Sequence, residues 1–68
     1  MKTKFEHLKK LTGLNNLHLD YYNGGYLLVL IGKNQSETNA FGMNARLTNK
    51  QMSIFIDGLL EMYYFLNK

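Results

Sequence analysis

Residues 17–31 read LHLDYYNGGYLLVLI, and this stretch decides the fold because it predicts a β-hairpin. Apolar and polar residues alternate from Leu17 to Tyr22, which is the two-residue period of a half-buried strand. Asn23-Gly24 then supplies residues that tolerate the positive φ angles of a tight turn. A second, almost wholly apolar strand follows from Tyr26 to Ile31.

The loop length sets which side chains share a face of the hairpin. A two-residue loop at Asn23-Gly24 is favoured over a three-residue loop, because it pairs residues into one apolar face: Tyr21 with Tyr26, Leu19 with Leu28, and Leu17 with Leu30. The other face is then a candidate interaction surface, made of His18, Asp20, Tyr22, Leu27, Val29 and Ile31.

Helices are predicted on both sides of the strands. The first runs from about Thr3 to Thr12, with Thr3 and Glu6 spaced as a capping box and Gly13 as the left-handed residue after the last turn. Its histidine, His7, is expected to be solvated. Near the other end of the chain, Thr48 and Gln51 form a second capping-box spacing before a helix over residues 49–66.

Between these parts, residues 33–37 are polar and predict a turn, and the alternation of Phe41 to Leu47 predicts a third strand. The expected fold class is therefore α+β, in the order α-β-β-β-α. It is a three-stranded antiparallel meander with the long C-terminal helix packed on one face. Residues 1–68 are expected to form a single domain, since the chain is near the lower size limit for one hydrophobic core.

The C-terminal helix has one broad apolar face, expected to lie on the Leu17/Leu28 side of the sheet: Met52, Phe55, Ile56, Leu59, Tyr63 and Leu66. Outside that face lies a candidate oligomer contact, made of Ile54, Gly58, Glu61 and Phe65. Glycine destabilises a helix interior, so Gly58 suggests that something approaches closely. Two interpretations remain open, namely packing against the chain's own first helix and a helix contact between subunits.

Composition excludes several classes of protein. The 68 residues contain no Cys and carry a formal net charge of +3, and 46% of them are hydrophobic, which is enough for a core. No segment has the length and apolar character of a membrane span or the pattern of a secretion signal. We therefore expect no membrane association and a cytoplasmic location.

The residues offer little chemistry for catalysis. His18 and Asp20 point the same way on one strand, as a general base and its orienting carboxylate do. A site also needs a nucleophile or a metal, and Ser36 and Ser53 lie elsewhere on the chain. We predict no catalytic residues, no metal ligands and no cofactor, so the protein is not expected to be an enzyme.

The order of elements resembles that of the double-stranded-RNA-binding domain, in which a basic cluster at the start of the second helix contacts phosphates. The corresponding stretch here is Arg46-Leu47-Thr48-Asn49-Lys50-Gln51. The resemblance implies nucleic-acid contacts at Arg46 and Lys50, with Lys9 and Lys10 as further cations. So few charges predict weak, salt-sensitive binding. A nucleic-acid-binding or regulatory module is the alternative function.

The segments Leu14-Asn15-Asn16-Leu17 and 20–25, in a Lys- and Asn-rich chain, resemble small accessory proteins of phages and mobile elements of low-GC Gram-positive bacteria. That group includes inhibitors of host defence. The resemblance implies a non-enzymatic protein that folds, self-associates and occludes a host protein. A homodimer is favoured because the apolar strip of Leu27, Val29 and Ile31 needs cover, unless the first helix folds over it.

Overall fold

The computed structural model describes residues 1–66, in which two helices and three strands follow in the order α1-β1-β2-β3-α2. α1 spans Lys2–Thr12, β1 Leu17–Tyr22, β2 Gly25–Ile31, β3 Glu37–Asn39 and α2 Asn49–Leu66. The strands form one antiparallel sheet with β2 in the middle. α2 packs on one face of this sheet. The predicted α+β class and the order of elements are confirmed.

The β1-β2 hairpin has the predicted two-residue loop. Asn23 and Gly24 adopt φ of 50° and 75°, the left-handed values of the turn that matches the right-handed twist of a hairpin. Tyr22 pairs with Gly25 across this turn, and the register continues down the strands through Tyr21–Tyr26, Leu19–Leu28 and Leu17–Leu30. The predicted register is therefore confirmed.

The third strand lies earlier in the chain than predicted. β3 is Glu37–Asn39, and the predicted strand over residues 41–47 is wrong. Phe41 and Gly42 adopt φ of 55° and 71°, which interrupts the extended backbone just after Asn39 and Ala40. Residues 40–46 form a loop that leaves the sheet, which we call the return loop. The chain rejoins β2 at Leu47, which exchanges two backbone hydrogen bonds with Tyr26.

Two polar contacts tie the return loop to the edge of β2, and a third ties it to β3. The Ala40 amide donates to the Leu28 carbonyl oxygen (2.9 Å), and the Leu28 amide donates to the Met43 thioether sulfur (3.4 Å). The Asn39 side-chain amide donates to the Met43 carbonyl oxygen (2.9 Å). Met43 therefore supplies an acceptor where a continuous third strand would have offered a backbone carbonyl.

Three of the four helix ends have the caps or end positions that the sequence predicts. The Gly13 cap (φ 70°), the Thr48/Gln51 capping box, with N···O distances of 3.0 and 3.2 Å, and the end of α2 at Leu66 are all present. The Thr3/Glu6 box is wrong, because Met1 is the N-cap residue and Thr3 lies inside the helix.

The core lies between the helices and the face of the sheet that carries Leu17 and Leu28. α2 buries Met52, Ile56 and Leu60 there, with α1 adding Phe5 and Leu8; Phe55, Leu59 and Tyr63 are half-buried. Leu66, predicted on this face, is 70% exposed. The buried stripe of α2 is therefore displaced toward Leu60 from the one predicted, because α1 covers that flank of the helix.

Candidate interaction surfaces on the hairpin and the C-terminal helix

The six residues of the predicted sheet-face surface do share one face, as the register of β1 and β2 requires. Their accessibility differs. His18 and Tyr22 are exposed, and Asp20, Leu27 and Ile31 are half-buried. Val29 is 2% exposed and offers no contact area. The accessible residues of this face are therefore His18 and Tyr22, whereas the apolar strip that was expected to need cover is buried or half-buried.

Arg46, in the return loop, closes over the turn end of that face. Its Nη2 lies 2.5 Å from Oδ2 of Asp20, and its Nη1 donates to the carbonyl oxygens of Asp20 (3.4 Å) and Gly25 (3.3 Å). The guanidinium carbon is 5.6 Å from the centroid of the Tyr22 ring, within the range of a cation–π contact. One arginine thus fixes a carboxylate, two carbonyls and an aromatic ring.

Gly25 makes this position of Arg46 possible. A β-carbon at residue 25 would lie 2.7 Å from the Arg46 β-carbon, closer than carbon atoms approach one another. The glycine therefore serves close approach of the return loop as well as the tight turn beside it.

Tyr21 extends the exposed surface around the tip of the hairpin. Its ring lies on the opposite face of the sheet from Tyr22 and contacts the Tyr26 ring, with centroids 4.7 Å apart and planes tilted by 54°. Tyr21 and Tyr22 are 60% and 62% exposed. We call Asp20, Tyr21, Tyr22 and Arg46 the hairpin surface. The sequence had pointed to Asp20 and Tyr22, whereas Tyr21 and the role of Arg46 were missed.

The arrangement around His18 does not form a general-base pair. The Asp20 carboxylate is engaged by Arg46, so its strongest partner is a guanidinium. Among residues 1–66, no group of three or more His, Asp and Glu side chains is placed to hold a metal ion. The absence of catalysis stays a prediction that activity measurements must test.

The four cations proposed to contact nucleic acid do not lie in one patch. Lys9 lines a groove of about 430 Å³ between α1 and β1, beside Leu17 and His18. Lys10 borders a different depression, on the other flank of α1. Arg46 is paired with Asp20, and Lys50 lies in the first turn of α2. These positions spread the positive charge over the molecule.

Side chains of α1 also contact α2, through residues that the sequence did not single out. Lys4 Nζ lies 2.9 Å from Oδ2 of Asp57 and 3.0 Å from the Ser53 hydroxyl. The Tyr64 hydroxyl lies 2.8 Å from His7 Nε2, and the two rings meet edge to face. His7 is exposed, as expected of a solvated residue, and its ring also contacts α2 through Tyr64.

The outer side of α2, opposite the core, carries an exposed apolar stripe. Ile54, Met62 and Phe65 are 63%, 61% and 76% exposed, and Gly58 and Glu61 lie between them. A β-carbon at Gly58 would meet none of the described residues within 4 Å beyond the local helix backbone. Packing of Gly58 against α1 is thus wrong. The predicted oligomer contact does form one surface, which we call the outer stripe, and Met62 is a member that the sequence did not single out.

Comparison with family models, curated proteins and solved structures finds no match for this chain. Within residues 1–66, neither helix is both long enough and apolar enough to cross a membrane.

Proposed function

We propose that the protein is a non-enzymatic binding protein that contacts another protein through the hairpin surface. The observation that carries this proposal is a pair of tyrosines at the hairpin tip, each about three-fifths exposed, of which Tyr22 lies beside an arginine held in place by Asp20. Tyrosine and arginine dominate the binding energy of protein interfaces, because each covers a large area and also offers hydrogen-bond donors.

Preorganisation supports the same proposal. The left-handed turn at Asn23-Gly24 holds the two tyrosines at fixed positions on opposite faces of the hairpin. The contacts of Arg46 restrict a long side chain that would otherwise lose rotamer freedom on binding. Less entropy is then lost when a partner docks, so more of the contact energy contributes to affinity.

For the partner we propose a host protein in a bacterial cytoplasm, in the manner of a phage or mobile-element inhibitor of host defence. The support for this finer proposal is the sequence resemblance to such accessory proteins. Inhibition by occlusion needs a rigid contact surface and no catalytic group, which agrees with a hairpin surface whose carboxylate is engaged by Arg46.

The alternative, a nucleic-acid-binding module, draws support from the helix-sheet-helix order and the net charge of +3. Charge pairing counts against strong binding. Asp20 pairs with Arg46 and Asp57 pairs with Lys4, so two of the eight cations already have acidic partners and contribute less to the replacement of counterions on phosphates.

The test is capture of partners from a bacterial lysate by the wild-type protein and by folded variants, with and without nuclease. Tyr22→Ala and Arg46→Ala should each weaken binding of the captured protein by about 30-fold, the equivalent of roughly 2 kcal/mol at an interface centre. Lys33→Ala is the control, since it removes a basic side chain from an exposed turn and should bind as the wild type does. Wild-type binding by Tyr22→Ala and Arg46→Ala would refute the hairpin surface. Loss of all captured material on nuclease treatment would assign the chain to the nucleic-acid class.

A further inference from the structure

We infer that the outer stripe of α2 is a homodimer interface in which two copies of the helix cross antiparallel at Gly58. The outer stripe is separate from the hairpin surface, which lies at the turn end of β1 and β2. Its proposed occupant is a second copy of this chain.

Gly58 provides the first reason. Glycine destabilises a helix interior relative to alanine, and within one copy of the protein the space beside Gly58 is open. Nothing inside the described fold therefore benefits from the missing side chain. A second helix crossing at this point would benefit, because the absent β-carbon lets two helix backbones approach closely.

The sequence around Gly58 is self-complementary about a two-fold axis. Ile54 and Met62 each lie four residues from Gly58, one on either side, on the same side of the helix. In an antiparallel pair centred on Gly58, Ile54 of each copy packs against Met62 of the other. A two-fold axis generates this contact twice, as an isologous interface requires.

The exposed area is consistent with a dimer. The chain exposes 4986 Å², whereas a folded monomer of 7.9 kDa is expected to expose about 4,400 Å². The excess of roughly 600 Å² is the area that each partner buries at the lower end of specific protein interfaces.

The charges of α2 favour a second copy over a lipid surface. Helices that lie on anionic membranes carry Lys and Arg beside their apolar face. Over residues 49–66, α2 has one lysine, Lys50, and two acids, Asp57 and Glu61, and its last turn contains no basic residue. Glu61 lies within the outer stripe itself, where it would be repelled by acidic headgroups.

The first experiment measures mass by light scattering at tens of micromolar protein. Wild type should have twice the monomer mass of 7.9 kDa, and Gly58→Arg and Ile54→Lys should be monomers with an unchanged circular dichroism spectrum. The control is Asn34→Arg, which adds a charge in the exposed turn between β2 and β3 and should remain a dimer.

The second experiment tests the geometry, using the fact that the chain contains no cysteine. Residues 54 and 62 are about 12 Å apart along a helix, and a disulfide needs Cα atoms within about 7 Å. The Ile54→Cys/Met62→Cys double variant should therefore form a covalent dimer on oxidation, while Ile54→Cys alone should not. A parallel pair would give the opposite result for the single variant.

Three outcomes would overturn the inference. They are a monomer mass for the wild type, a dimer that survives both Gly58→Arg and Ile54→Lys, and cross-linking by Ile54→Cys alone. Sedimentation of a monomeric wild type with phosphatidylglycerol vesicles, lost in Ile54→Lys, would assign the outer stripe to a lipid surface instead. None of these results affects the hairpin surface, whose test uses other residues.

Discussion

Truncation of Leu28 should be among the most damaging single changes on the sheet, and its neighbour Leu19 provides a matched comparison. The two leucines face each other across β1 and β2 and share a face of the sheet. Leu28 is 0% exposed in the centre of the core, whereas Leu19 is partly exposed and borders the groove beside α1. The same Leu→Ala change therefore removes the same side-chain atoms from a fully buried position and from a partly exposed one.

The magnitudes follow from that difference. Leu28→Ala leaves a closed cavity and should cost about 3 to 5 kcal/mol, while Leu19→Ala opens onto solvent and should cost about 1 to 2 kcal/mol. A chain of 68 residues has a total stability of about 3 to 10 kcal/mol. Leu28→Ala should therefore remove between about a third and all of the free energy of unfolding. Leu28→Val, which loses about 1 kcal/mol, should remain folded with a melting temperature about 4 to 8 °C lower.

Urea and thermal unfolding followed by far-ultraviolet circular dichroism, at one fixed protein concentration, would measure these values. Equal losses for Leu28→Ala and Leu19→Ala, or a larger loss at Leu19, would refute the placement of the core centre at Leu28. A fully folded Leu28→Ala variant with wild-type stability would refute the packing of α2 against this face of the sheet.

Two further changes test local features. Thr48→Ala removes a capping hydrogen bond from α2 and should lower the free energy of unfolding in urea by about 1 kcal/mol. Thr3→Ala, inside α1 and without a capping role, should leave it almost unchanged. Equal losses would contradict the assignment of the caps. Gly25→Ala places a β-carbon against Arg46 and should move the guanidinium off the Tyr22 ring, shifting the ring proton resonances of Tyr22 while the rest of the spectrum is retained. An unchanged Tyr22 spectrum would show that Arg46 does not rest there.

The hairpin and α2 could be predicted because the signals that specify them are local. Turn chemistry at Asn23-Gly24 fixes the register, and the Thr48/Gln51 box fixes the start of α2. The third strand could not be located in this way. Alternation in residues 41–47 is real, but the left-handed backbone at Phe41 and Gly42 is imposed by contacts with β2 and not by residue type alone.

In the candidate sites, too, local patterns predict some residues, whereas others depend on tertiary contacts. Asp20 and Tyr22 are near neighbours along β1, so the period-two pattern places them together. Arg46 lies 26 positions from Asp20, and no periodicity links them. For Gly58 two interpretations were open, and packing against α1 could be tested only where the position of α1 was known, which is a tertiary property.

The interruption of the third strand also protects the sheet from aggregation. An edge strand with a long row of unpaired amides and carbonyls is a template onto which another chain can add. At this edge, β3 contains three residues and begins with the charged Glu37, and the return loop then takes the backbone away from the sheet plane until Leu47. An incoming strand would find no straight edge long enough to extend, so the irregular loop keeps a small, apolar sheet from growing into a fibril on this side.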